Sequence, residues 1–145
     1  MGSLIDIAGN LMPTYQNDYT YGVSHQKHVV KSLEGFFGEN IEETKDRYCI
    51  YDAESKQTNY EIKSRRFHKD KYPTTIISCN KTKANKARRL IFVFRFTDGL
   101  YYIEYIPALF NSFEKKMVTY QRQGIQVRPV EHYCIPIELL TEIHI

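Results

Sequence analysis

Three charged residues could act together. Asp52 lies in "RYCIYDA" (47–53), and Glu61 and Lys63 lie in "TNYEIKSRR" (58–66). Both stretches alternate and are rich in aromatic and β-branched residues, so they predict two antiparallel strands joined through the polar "ESKQ". On a strand, residues i and i+2 share a face, so Glu61 and Lys63 emerge side by side while Ile62 turns away. A hairpin centred near Ser55–Gln57 folds Asp52 back beside Tyr60 and Glu61. Two carboxylates that close repel and cost stability unless a divalent cation lies between them, and oxygen-only ligands of this kind suit Mg²⁺ or Mn²⁺. Such a cation is a Lewis acid for a phosphate oxygen and acidifies a bound water. Lys63, beside that water, would orient it or stabilise its deprotonated form. A cross-strand salt bridge between Lys63 and one acid is the plainer explanation of an ExK spacing, so the surrounding elements must decide.

A second feature adjoins the first. From Lys63 to Arg89 there are ten Lys and Arg against one acid, Asp70, a local balance of +9 in a chain whose net charge is +3. Half of the chain's 20 bases are in that segment. A solvated face is the ordinary meaning of a charge run, but next to Glu61 and Lys63 it fits a polyanion. Arg65, Arg66, Lys69, Lys71, Lys81, Lys83 and Lys86 are the candidates for gripping a nucleic-acid backbone.

The elements that must carry these residues are legible in outline. At 145 residues the chain suits one packed core. A hydrophobic share of 42% and a charged share of 26% fit a soluble globular protein. No stretch approaches the roughly 20 apolar residues of a membrane span, and the first residues lack a secretion-signal pattern. An intracellular, soluble protein of cytoplasm or nucleus is expected, with tyrosine and asparagine usage hinting at a viral or mobile-element origin. Cys49, Cys79 and Cys134 are odd in number and set among apolar neighbours, so buried free thiols are expected. The scattered histidines offer no zinc-ligand spacing.

Residues 1–21 show no sustained period and are expected to form an N-terminal arm to a single domain at 22–145. In "GVSHQKHVVKSLEGFFG", Ser24 can cap a helix whose Val29, Val30, Leu33, Phe36 and Phe37 recur at helical spacing, with Gly38 as its C-terminal cap. After the hairpin come a strand at "TTIIS" (74–78) and a short basic helix near Asn80 or Thr82. "LIFVFRF" (90–96) and "LYYIEYI" (100–106) flank "TDG", where Asp98 and Gly99 tolerate the positive φ of a tight turn. A short helix from Pro107, further short strands, and a last helical turn from Pro136 complete the chain. Helix, hairpin, strand, helix, hairpin is the order of a mixed α/β sheet with helices packed on it.

With the acid on one strand, ExK on the next and a basic helix following, residues 22–96 resemble the PD-(D/E)xK nuclease superfamily, which includes many restriction endonucleases and archaeal Holliday junction resolvases. The resemblance implies a restriction-endonuclease-like mixed β-sheet flanked by helices, an αβββαβ core, here with extra C-terminal strands. It implies Asp52 and Glu61 as metal ligands, the backbone carbonyl of Ile62 as a further ligand, and Lys63 as the residue that positions the attacking water. It also implies polar side chains of the following helix near the scissile phosphate, a role open to Asn80, Lys81 or Lys83. Many members carry a glutamate on the first helix, where this chain has Gln26, with Glu34 two turns later. Tyr51 stands where a proline often precedes the acid. Asp46 and Glu54 compete with Asp52, which fits the hairpin register better.

The expectation is a divalent-metal-dependent deoxyribonuclease, most simply an endonuclease, using Mg²⁺ or Mn²⁺ on DNA. No membrane partner is expected, and a homodimer could form through the hairpin 90–106 or the C-terminal segment. The rival expectation is a non-catalytic nucleic-acid-binding module with the same fold and basic face.

Overall fold

The computed structural model describes residues 4–5, 11–12, 15–44, 50–85, 88–119 and 128–144, with side chains from Gln26 onward. A two-stranded ribbon, β1 (Leu4–Ile5) with β2 (Leu11–Met12), precedes a 23-residue helix, α1 (Tyr15–Phe37). The helix thus begins seven residues before Gly22, so Ser24 lies inside it rather than capping it. Its polar front, "YQNDYTYG", has no apolar stripe to reveal it. The end is as expected: Gly38 adopts φ +67, and its N–H donates to the Glu34 carbonyl at 2.9 Å.

Three strands then form an antiparallel meander, β3 (Glu42–Glu43), β4 (Ala53–Glu54) and β5 (Thr58–Ser64). The chain next leaves this sheet. It makes β6 (Thr74–Ser78) and the short helix α2 (Cys79–Lys83), which Ser78 caps by accepting from the Asn80 N–H. It returns as β7 (Arg89–Phe96), parallel to β5 with Glu61 opposite Phe92 and Lys63 opposite Phe94. β8 (Gly99–Glu104) pairs with β7 as a hairpin. A helical turn, α3 (Pro107–Phe110), leads to β9 (Lys115–Val118), β10 (Val130–Pro136), a 3-10 turn at Ile137–Leu139 and β11 (Thr141–Glu142). The main sheet is six-stranded and mixed, in the order β11-β8-β7-β5-β4-β3, and the second is antiparallel, β6-β10-β9.

The layers follow from the side-chain alternation of β7, which is apolar on both faces because both are covered. Ile91 and Val93 join Tyr60 and Ile62 of β5 beneath Val29, Val30 and Leu33 of α1. Leu90, Phe92, Phe94 and Phe96 face the other way, onto Ile77, Tyr133 and Ile135 of the second sheet and Phe110 of α3. The protein is therefore mixed α/β, with a helix on one face of its main sheet.

Several expectations change. The strand at 74–78 has its expected bounds but pairs with β10, not with the main sheet. A second sheet, rather than helices alone, covers that face, because "TTII" is β-branched and only five residues after it turn helical. The first strand of the meander is Glu42–Glu43, where two adjacent acids give no alternation to read. In the β7–β8 hairpin Gly99 pairs with Phe96, so the turn residues are Thr97 and Asp98. The glycine answers a packing demand instead: a Cβ there would meet Tyr101 Cε2 at 3.0 Å. Cys79 and Cys134 are buried free thiols. Cys49, Asp46, Lys86 and most of "VTYQRQGIQV" lie outside the described residues. Among the described residues no helix is long and apolar enough to cross a membrane, which says nothing of a strand-built span.

Candidate active site: an acid pair with two lysines

The β4–β5 register sets Ala53 opposite Tyr60, and the carboxyl of Asp52, one residue before β4, meets that of Glu61. The Asp52 N–H donates to the Tyr60 carbonyl at 3.0 Å, so Asp52 and Ala53 both lie against Tyr60 and the pairing bulges there, while the Thr44 N–H donates to the Asp52 carbonyl at 3.0 Å. Asp52 Oδ2 accepts from the Ile62 N–H at 2.8 Å. Tyr60 and Ile62 face α1, so Glu61 and Lys63 face the opposite side, toward α2. Glu54, the competing acid, is exposed and paired with Arg88 at 3.1 Å, away from Glu61. Asp52 is thus the acid that meets Glu61.

Glu61 is only 2% exposed, and a charge so enclosed must be paired. Its Oε2 has two cationic partners: Lys63 Nζ at 3.3 Å and Lys81 Nζ at 3.1 Å. Lys81 also donates to the Ile50 carbonyl at 2.6 Å, and its own carbonyl accepts from the Tyr51 hydroxyl. The segment leading to Asp52 and the helix α2 are therefore tied on both sides of that lysine.

Burial pushes the Asp52 carboxyl up from 3.8 to about 7, helped by the charge of Glu61 and by a hydrogen bond between the two carboxyls. The Ile62 N–H and Lys63 oppose the rise without cancelling it. Near neutral pH Asp52 is thus poised between its neutral and its charged form beside Glu61. The two carboxylates form an oxygen-only donor set, and Mg²⁺ needs only one or two carboxylates because it keeps several waters. Among the described residues no group of three or more His, Cys, Asp and Glu converges.

The first helix contributes unevenly. Gln26 Nε2 lies 3.5 Å from the Asp52 carbonyl, which brings that side chain to the site's edge. Glu34 does not reach the site: two turns on is about 12 Å along the axis, and its Oε2 accepts from the Ile41 N–H at 3.2 Å. It holds the loop after the helix.

The basic run divides by role. Arg65 donates to the Ile76 carbonyl at 3.0 Å and lies 5.8 Å from the Phe94 ring, joining β5 to β6 rather than reaching outward. Arg88 donates to Glu54, Asn59 and the carbonyls of Ser55 and Lys56, clamping the β4–β5 turn to the start of β7. Arg66, Lys83 and Asn80 are exposed. Lys69 lies 4.6 Å over the Tyr101 ring, and Lys71 lies 5.5 Å from Tyr72 and 5.6 Å from Phe67. Those two ammonium groups rest on aromatic faces at the far end of β5.

Sequence reasoning placed Lys81 among the backbone-gripping bases and, with Asn80 and Lys83, among the side chains near the scissile phosphate; its ammonium sits on Glu61. No local spacing could have found this, because the contact joins residues 20 apart through a crossover that passes via another sheet.

Compared with known proteins, the chain matches no family model, no curated protein and no solved structure.

Proposed function

We propose that the protein is a divalent-metal-dependent nuclease of the PD-(D/E)xK type, cutting DNA phosphodiester bonds as an endonuclease. The observation that carries this reading is the cross-strand meeting of Asp52 and Glu61 with Lys63 on the Glu61 carboxylate. The order of elements supports it: a helix, an antiparallel meander with the acid at its second strand and ExK on its third, then a crossover to a parallel strand. The restriction-endonuclease-like fold is part of the proposal.

Asp52, Glu61 and the Ile62 carbonyl would hold Mg²⁺ or Mn²⁺; when bound, the ion supplies a Lewis acid for a phosphate oxygen and acidifies a water. Lys63, 38% exposed at the solvent side of Glu61, has protons to orient a water toward phosphorus and to stabilise it as it loses its own. Gln26 steadies the Asp52 peptide. Arg66, Lys69, Lys71 and Lys83 offer sequence-independent, salt-sensitive contacts to the phosphates.

Supercoiled plasmid and a branched DNA, each with and without Mg²⁺ or Mn²⁺, test the proposal beside a Lys63→Ala variant. The expected result is metal-dependent cleavage that falls at least about 10²-fold in the variant. Binding without cleavage, in either metal and on both substrates, would overturn it. That outcome fits a second reading, a non-catalytic nucleic-acid-binding module. It is favoured by one observation: two lysines already neutralise Glu61, as in a structural ion pair.

A further inference from the structure

Lys63 is the lysine that the ExK spacing accounts for; Lys81 is unexplained by it. Both touch the same oxygen, Glu61 Oε2, and two ammonium charges are one more than a single carboxylate requires. The two differ in what else they reach. Lys81 makes the shorter ion contact, is the less exposed at 26%, and donates at 2.6 Å to the carbonyl of Ile50, two residues before Asp52. Its ammonium thus spans the two acid-bearing segments, with an oxygen from each. It therefore occupies the Glu61 oxygen that a cation held by that carboxylate would need.

We propose that Lys81 is a resident counter-ion that competes with a divalent cation for Glu61 and thereby sets the metal affinity of the acid pair. The inference rests on the acid pair being the metal site proposed above. A dication brought beside two ammonium groups on one carboxylate meets strong like-charge repulsion in a water-poor site. Uptake therefore requires Lys81 to give up Glu61 Oε2, and the ammonium released from that oxygen becomes a donor for a phosphate. Lys81 acts here as a positioning residue, through Glu61.

The sign of the effect separates this role from a structural one. If Lys81 merely braced α2, removing it would loosen the site and weaken metal binding; if it competes, removing it strengthens metal binding. Calorimetric titration of the full chain with Mg²⁺ at low ionic strength, without nucleic acid, reads this directly. Lys81→Met is expected to bind Mg²⁺ at least about tenfold more tightly than the parent, while Lys81→Arg, which keeps the charge, does not. Should Lys81→Met fail to fold, Lys81→Gln, which retains a donor for the Ile50 carbonyl, carries the same expectation. Asp52→Asn serves as the control for the site itself and is expected to weaken Mg²⁺ binding. Equal or weaker binding in the uncharged Lys81 variants, with the control weakened, overturns the role of Lys81 and leaves the site standing. Binding that Asp52→Asn does not change, or no Mg²⁺ binding by any form, overturns the site and this inference with it.

Discussion

Replacing Asp52 by Asn should make the metal-free protein more stable, and more so as the pH rises. The carboxyl is raised from 3.8 to about 7 by burial and by Glu61. Between those values the folded state holds a proton that the unfolded chain has released, so stability falls as pH increases through that window. The rise from 3.8 to about 7 corresponds to roughly 4 kcal/mol at pH 8 and to less than half of that at pH 5, where the folded group is still protonated. Asn is nearly isosteric: its oxygen keeps the bond from the Ile62 N–H, 2.8 Å long in the parent, and its amide replaces the shared proton as a donor to Glu61. The variant should therefore gain on the parent by about 2–3 kcal/mol between pH 5 and pH 8. Urea unfolding in EDTA at the two pH values measures this. A stability difference that is the same at both, or a variant weaker than the parent at pH 8, would refute the account of Asp52 as a buried acid forced against Glu61.

The aromatic-seated lysines make a separate claim. Lys69→Ala with Lys71→Ala should weaken duplex DNA binding about tenfold at modest salt and flatten the dependence of log affinity on log salt by roughly two, as read by fluorescence anisotropy; an unchanged slope would remove that face from the interface. Arg88→Met should cost about 2 kcal/mol in urea unfolding, because the Ser55 and Lys56 carbonyls and Asn59 lose their donor together. It should leave Mg²⁺ binding unchanged, and a lost metal response would place the clamp in the site.

The sequence was most readable where one face of a strand differs from the other. A hairpin there, and with it the meeting of Asp52 and Glu61, followed from the alternation of β5 and a polar turn, although the strand expected at 47–53 is β4 at Ala53–Glu54, with 50–52 outside it and 47–49 outside the described residues. "LIFVFRF" also read as a strand, although its unbroken apolar run left unstated that both faces are covered. Glu42–Glu43 was invisible because a two-residue edge strand needs only backbone partners, and those are set by β4. The bounds of "TTIIS" were legible but its partner was not, since pairing with β10 joins residues more than 50 apart. The ion pair of Lys81 with Glu61 was unread for the same reason: it depends on how β6 and α2 return across the sheet.

The alternation of β5 has one more consequence. Sliding the strand by a single residue along β7 would turn Glu61 into the apolar layer under α1 and bring Ile62 out among the lysines. An ionised carboxylate has no partner among Val29, Val30 and Leu33, so the misaligned pairing would carry an unpaired charge that the correct one does not. In a parallel pair no tight turn enforces alignment, and the crossover from β5 to β7 is long enough to permit a shift. The group that most burdens the folded sheet electrostatically is thus also the one that makes a frame-shifted sheet untenable: Glu61 is an alignment key for the strand that carries it.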